Sequence, residues 1–436
     1  MHGWKIMYYN RVLDGMLDKY LRMMGAVLIM GPKWCGKTTT GKRHANSVLN
    51  LQNIDERESY LEWANYRPSK LLSGEKPRLI DEWLIAPVLW DAVRASVDEL
   101  NETGLYILTG STSVDESKIM HTGTGRIVRL LMRPMSLYES KESNGKISLI
   151  NLFDNPNLDI DGIESDLSME DLIFAACRGG WPASLKFENK NDQLELPYIY
   201  LNSICNNDIS TVDGVKRDPL RVRSILSSYA RNISTEVSNT TILNDIKTNY
   251  GDMSPNTFYS YVNALERLFV IDNVRAWNPN IRSKTAMKAS FKKEFIDPSI
   301  AVAALNLNPQ SLEFDLRTFG FIFETLCIRD LNTYLAPYGG NVSYFRDRYG
   351  LEVDCVVHLR DGRYGLIEFK LGRMGIEEGS KNLIKLDNLI KKNIKEKNLN
   401  LKAPSFLAIV TGGKLAYIRK DGVKVIPIGT LRPWLN

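Results

Sequence analysis

The stretch "MGPKWCGKTT", residues 30–39, sets a glycine, four variable positions and Gly-Lys-Thr in a row. A loop of this pattern between a strand and a helix turns backbone N–H groups toward phosphate oxygens. Its lysine then neutralises the β/γ oxygens and its threonine hydroxyl ligates Mg²⁺. The residues expected to hold a nucleotide are Gly31, Pro32, Lys33, Trp34, Cys35, Gly36, Lys37, Thr38 and Thr39. In "RLIDEW", Asp81 is placed to hold the metal and Glu82 to activate water. "LTGSTS" offers Thr109 or Ser111 as a polar sensor between that acidic pair and the γ-phosphate, and "GTGR" offers Arg126 as a finger toward a neighbouring subunit's nucleotide. A finger of this kind acts only on assembly, so a homo-oligomer is expected.

A second constellation lies about 290 residues further on: Glu324, Asp354, Glu368 and Lys370. Residues two apart on a strand share a face, so Glu368 and Lys370 point together, as do Glu352, Asp354 and Val356. A two-residue Asp361-Gly362 turn would set Asp354 opposite Phe369. A three-residue loop, Arg360-Asp361-Gly362, with Gly362 left-handed, sets it across from Glu368. Three carboxylates around a lysine suit a hard cation, Mg²⁺ or Mn²⁺, with a metal-bound water as nucleophile.

The elements that must position these groups show in the hydrophobic pattern. Residues 10–24 read as an amphipathic helix leading into the strand "GAVLIM", and "TTTGKRHANSVLN" reads as a helix after the loop. "DEWLIAPVLWDAVRASVDEL" gives a strand end and a helix, and "GLYILTGS" a further strand, so the N-terminal part is expected to be α/β with a parallel sheet. From about residue 140 the chain is rich in Asn, Asp, Ser and Gly and reads as a connector or irregular insertion, followed by helices over 168–270. In "TTILNDIKTNYGDMSPNTFYSYVNALERLFVIDNVRAW" Ser254 caps a helix whose first position is Pro255. Phe258, Val262, Leu265 and Phe269 form its apolar stripe, with Asn256, Thr257, Ser260, Asn263 and Arg267 on the other side. This is a winged-helix pattern, whose polar face could enter a DNA major groove or serve only for packing. The nearby "IRSKTAMKASFKK" reads as a phosphate-contacting stretch or a solvated connector. From 341 the strands "VSYFRDRYG", "LEVDCVVHL" and "RYGLIEFKLG" precede a Lys-rich helix, which could contact phosphates, and two more short strands.

Bulk properties set limits. Hydrophobic residues make up 44% of the 436 and charged residues 25%, as in soluble globular proteins. The net charge of +5 is mild, so a nucleic-acid role needs local evidence. Five scattered cysteines and four histidines argue against a zinc site or a disulfide framework and fit a reducing compartment. No signal peptide or membrane-length apolar run is read at the start of the chain, so a cytoplasmic protein is expected.

Loop, "DE" pair, "LTGS" and "GR…RPMSLYE", in this order and together with "RGGWP" (Arg178 to Pro182), resemble the AAA+-type ATPases of archaea and bacteria that carry a C-terminal domain of uncharacterised function. The resemblance covers nearly the whole chain and implies ATP hydrolysis, but little about purpose. The C-terminal four-residue set resembles the PD-(D/E)xK nuclease fold, with Val353 where that family has proline. Together these readings predict a multidomain α/β protein. A P-loop AAA+ ATPase core occupies 1–145, a connector and helical lid 146–220, a winged-helix-like domain 221–290, and a restriction-endonuclease-like α/β domain 291–436. The expected function couples ATP and Mg²⁺ to DNA binding and metal-dependent DNA cleavage. The alternative is an ATP-dependent switch binding DNA or a protein partner, with the nuclease-like domain idle.

Overall fold

A computed structural model describes residues 8–113, 121–278, 290–397 and 401–434. The chain divides into two compact units, one of residues up to Pro134 with Arg267–Phe269, the other of Met135–Glu266 and Val270 onward.

The first unit runs α1 (Val12–Met23), β1 (Ala26–Met30), α2 (Lys37–His44), β2 (Ser47–Asn50), α3 (Arg57–Tyr66), β3 (Arg78–Asp81), α4 (Val88–Leu100), β4 (Tyr106–Gly110) and β5 (Ile127–Leu131). Its sheet has the order β2-β3-β4-β1-β5 with every pair parallel. A central parallel strand is covered on both faces, which is why "AVLIM" reads as one unbroken apolar run. Ala26 and Leu28 join one apolar cluster, with Trp83, Trp90 and Leu108, while Val27 and Ile29 join another, with Leu13, Leu17 and Leu130. The helix expected over "TTTGKRHANSVLN" ends at His44, and Ser47–Asn50 is instead the edge strand β2. Only Leu49 of that strand is buried, so its pairing with β3 leaves little local signature.

The second unit is helical first: β6 (Ile147–Ser148), α5 (Leu149–Asp154), α6 (Met169–Arg178), α7 (Lys190–Ser203), α8 (Ile209–Thr211), α9 (Pro219–Arg231), α10 (Asn239–Tyr250), α11 (Pro255–Arg267), α12 (Pro298–Ala304), α13 (Pro309–Phe314) and α14 (Leu316–Leu335). Then come β7 (Asn341–Arg346), β8 (Glu352–His358), β9 (Tyr364–Lys370), α15 (Ile376–Lys397), β10 (Leu407–Thr411), β11 (Tyr417–Ile418), β12 (Lys424–Pro427) and β13 (Leu431–Arg432). After α15 there are thus four short strands among the described residues, not two. The mixed sheet has the order β11-β12-β10-β9-β8-β7, antiparallel from β7 to β9 and parallel from β9 through β10 to β12. Leu383, Leu386 and Ile390 of α15 pack on Val353, Val356, Leu366 and Ile409.

The stretch from 140, expected to be a connector or insertion, is a packed part of this unit. Leu149, Ile150, Leu152 and Phe153 are buried, Phe153 meets Phe406 edge-on, and β6 pairs with β13. Its polar composition misled because the Asn and Asp side chains shape turns while the few apolar ones do the packing. In the winged-helix region, Thr257 N–H donates to Ser254 Oγ at 3.1 Å, as a cap should, and Phe258, Val262 and Leu265 are buried. Phe269 leaves the stripe: the helix stops at Arg267, and Phe269 has a φ of 58°. Beyond the helix, single bridges join Ile271 to Phe295 and Val274 to Lys292.

Candidate functional site

The loop after β1 is shaped by its glycines. Gly36 caps α2 at a φ of 104°, where a side chain would be strained. A Cβ on Gly31 would lie 2.2 Å from the carbonyl oxygen of Met132. Cys35 is fully buried among Leu13, Ile29 and Met132, and so packs as a small apolar residue as expected. Lys37, 5% exposed, donates to the carbonyls of Gly31 at 3.0 Å and Pro32 at 2.7 Å, which holds its ammonium inside the loop. Thr38 follows in the first turn of α2, with Thr39 beside it.

The acidic pair meets the loop from β3. Asp81 Oδ1 accepts from Thr38 Oγ1 at 2.8 Å and from Thr109 Oγ1 at 2.6 Å, so α2, β3 and β4 converge on one oxygen. β4 lies between β3 and β1, so Thr109 sits between both partners. Thr109 Oγ1 also accepts the Glu82 N–H at 3.0 Å, and Ser111 Oγ donates to Glu82 Oε1 at 2.8 Å. Glu82 has φ 57° and ψ 51°, a left-handed conformation that costs about 1 kcal/mol for such a residue. That turn aims two adjacent carboxylates at different partners. The hydroxyl of Thr38 and the carboxylate of Asp81 form a hard-oxygen pair that fits Mg²⁺.

Arg126 does not join this group. Its carbonyl accepts the N–H of Ala26 at 3.0 Å, at the start of β1, whereas the loop follows the end of that strand. Its Nε donates to Asp98 at 2.6 Å. One residue without a motif, Arg11, does join, and another, His44, ties α2 to α1. Arg11, 5% exposed, donates from Nη1 to the Cys35 carbonyl and from Nη2 to the Arg133 carbonyl, both at 2.7 Å, and so ties the loop to the segment after β5. His44, at the end of α2, lies 3.2 Å from Asp14 and 2.8 Å from Asp18 of α1. The hydrogen bond to Asp14 raises the pKa of His44, although burial opposes it.

The C-terminal constellation assembles in the second unit. The hairpin loop is Arg360-Asp361-Gly362 with Gly362 at a φ of 86°, and Leu359 N–H donates to the Arg363 carbonyl. The register Cys355↔Ile367, carried one residue further, sets Asp354 across from Glu368. Lys370 Nζ lies 3.2 Å from Asp354 Oδ2 and 2.5 Å from Glu368 Oε2, and the Phe369 N–H donates to Asp354 at 2.8 Å. Glu324 comes in from α14. Burial and the charge of Asp354 push the Glu368 carboxyl well up; the lysine charges hold Asp354 below the usual range against its burial. Burial pushes Glu324 up to about 7, with the ammonium of Lys292 opposing.

Lys292 corrects the basic-stretch expectation. Residues 281–289 of that stretch lie outside the described residues, but Lys292 and Lys293 are 1% and 3% exposed. They are neither solvated nor available to a nucleic-acid backbone. Lys292 Nζ is 2.5 Å from Glu324 Oε1 and 3.9 Å from Glu352 Oε1. Sequence alone gave no sign of this, since a lysine in "SFKKEF" buries only if distant elements surround it.

Comparison with known proteins agrees with the first unit's geometry. Residues 24–141 match the model of an AAA domain, and this match, with the loop, α2 and the acidic pair, makes this part a P-loop ATPase domain with an α/β core. Residues 169–311 and 319–431 each match a domain of unknown function (DUF8612 and DUF4143). The family matched at the C-terminal carboxylates is thus not described as a nuclease. No curated protein matches the sequence. Among solved structures, the chain is similar to the Walker-type ATPase of Pyrococcus abyssi at 13% identity and a TM-score of 0.41, over 68% of this chain and 96% of that one. It is also similar, at 11% identity and a TM-score of 0.21, to a signal transduction ATPase with numerous domains and a tetratricopeptide repeat sensor from Pyrococcus horikoshii, over 76% of this chain and 48% of that one. Among the described residues, no helix is long and apolar enough to cross a membrane.

Proposed function

We propose that the protein binds and hydrolyses ATP at the loop of its first unit and that the nucleotide state governs what its second unit binds. The observation that carries the nucleotide site is the convergence of the Thr38 and Thr109 hydroxyls on one carboxylate oxygen of Asp81, with Ser111 on the adjacent Glu82. Lys37 and the loop N–H groups bind and orient the phosphates, and Thr38 and Asp81 would hold Mg²⁺. The metal, when bound, offsets charge on the phosphate oxygens. Glu82 orients water and accepts its proton, and Ser111 fixes the rotamer of Glu82 by donating to one of its oxygens.

ATP turnover tests this. Lys37→Ala should lose nucleotide affinity, and Glu82→Gln should bind nucleotide but turn over on the order of 100-fold more slowly. Turnover at the wild-type rate in both variants would remove the assignment.

For the second unit, we take DNA as the partner class. Lys381, Lys385, Lys391, Lys392 and Lys395 of α15 are exposed, and the face of α11 bearing Asn256, Ser260 and Asn263 is open to solvent. Binding should weaken with salt and change with the bound nucleotide; DNA-independent capture of a protein would favour the other partner class. Metal-dependent cleavage by Glu324, Asp354, Glu368 and Lys370 is the competing reading. Lys292, a second lysine buried against Glu324, favours a switch over a nuclease.

A further inference from the structure

We infer that Lys292 is the resident cation of the carboxylate cluster in the second unit, and that this cluster therefore takes no divalent metal. A nuclease-like site needs the oxygens of Glu324, Asp354 and Glu368 turned toward one ion and free to ligate it. Here each carboxylate already has a cationic partner. Glu324 Oε1 faces the Lys292 ammonium at 2.5 Å. Glu368 Oε2 faces Lys370 at 2.5 Å. Asp354 Oδ2 is shared between Lys370 at 3.2 Å and the Phe369 N–H at 2.8 Å. Among the described residues, no three acidic, histidine or cysteine side chains are gathered as a metal would need.

Lys370 belongs to the Glu-x-Lys pattern and would be present in either case. Lys292 is the addition, and it is locked in place. Its backbone exchanges two hydrogen bonds with Val274, at 2.9 and 3.0 Å, and its side chain is 1% exposed. The ring of Tyr344 lies 5.7 Å from its Nζ. Next to it, Lys293 is held by Asn239 at 2.7 Å, and Glu294 by Ser234 and Thr325, so the segment has no slack with which to withdraw the ammonium. A divalent ion bound by Glu324 would lie beside a buried, fixed positive charge, and the two would repel in a medium that screens them poorly. The cluster instead ties the segment of Lys292 to Glu324 of α14 and to Glu352 of β8. It is an ionic node in which three carboxyl groups share two ammonium groups.

The test is Mn²⁺ binding to the full chain without nucleotide, followed by calorimetry or electron paramagnetic resonance. This readout is separate from ATP turnover. Wild type and Asp354→Asn should bind Mn²⁺ equally, because the node contributes no site. Lys292→Met should gain at least about tenfold in Mn²⁺ affinity, about 1.4 kcal/mol, and adding Asp354→Asn should abolish the gain. Tighter Mn²⁺ binding by wild type than by Asp354→Asn overturns the inference, and so does a folded Lys292→Met without the gain. If Lys292→Met fails to fold, the comparison of wild type with Asp354→Asn decides alone.

Discussion

Arg11 shows how much one buried guanidinium can decide. Its two 2.7 Å bonds join the Cys35 carbonyl inside the phosphate loop to the Arg133 carbonyl beyond β5. Removing it leaves both carbonyls without a charged donor, a loss of about 1.5–3 kcal/mol for each such bond. We expect Arg11→Ala to weaken ATP binding several-fold while circular dichroism stays native; wild-type affinity would show that the clamp does not shape the loop. Glu294 makes a different prediction. Burial, then the charge of Glu324, push its carboxyl up to about 8 from an ordinary 4.5. Between those values the folded chain holds a proton that the unfolded chain has lost, so stability falls as pH rises through that window. Glu324, pushed up to about 7, acts in the same direction. Glu294→Gln mimics the protonated form and should flatten the fall in urea midpoint between about pH 5 and pH 8. An unchanged slope would show that Glu294 is not its source.

At the scale of elements, two close approaches depend on glycine. A Cβ on Gly41 of α2 would come 2.8 Å from Leu79 of β3, so the helix after the loop sits hard against the acidic strand. Gly179, in the turn after α6, has a φ of 74°, and a Cβ there would lie 2.3 Å from Ser299 Oγ and 2.5 Å from Asp297 Oδ1. Around it, Gly180 N–H donates to Asp297, Trp181 Nε1 to Ser299, and Arg329 to Asp297 at 3.0 Å. The Leu137 N–H donates to Asp330 at 2.9 Å, which brings "RPMSLYE" into the same buried network. This gives the "RGGWP" motif a structural role in the second unit. Gly179→Ala combines left-handed strain with a clash on two buried polar atoms, and should cost about 2–4 kcal/mol. Chemical denaturation of the full chain checks this; a loss of only a few tenths would mean the network adjusts freely.

For the whole molecule, the open matter is assembly. Arg126 sits at the start of β5 and the loop follows the end of β1, a separation of about 16 Å along five strand residues. Within one chain it is at the wrong end of the sheet for phosphates held by the loop. We propose that it serves a neighbouring copy, exchanging Asp98 for the neighbour's nucleotide. A mixture of Arg126→Ala and Lys37→Ala proteins should then recover turnover that neither shows alone, because one copy offers an intact loop and the other an intact arginine. No recovery at any mixing ratio would leave Arg126 as a surface partner of Asp98.

What the sequence determined by itself was chemistry carried in short runs. The loop, the Asp81-Glu82 pair, the Thr109 and Ser111 strand end and the Glu368-x-Lys370 face are each a short run whose residue types and spacing show it, although the partners they meet lie 15 to 43 positions away. The Asp354–Glu368 register was one of two that the sequence left open, and the three-residue turn with Gly362 left-handed decided it. Other features were decided only when distant elements packed. β2 is a strand because β3 offers it an edge, and the segment after 140 is structured because Phe153 has Phe406 to meet. Arg11, Lys292 and Glu294 look like ordinary surface charges in the sequence. Each becomes decisive through burial, which removes water and makes every remaining partner count, and burial is set by residues tens to hundreds of positions away.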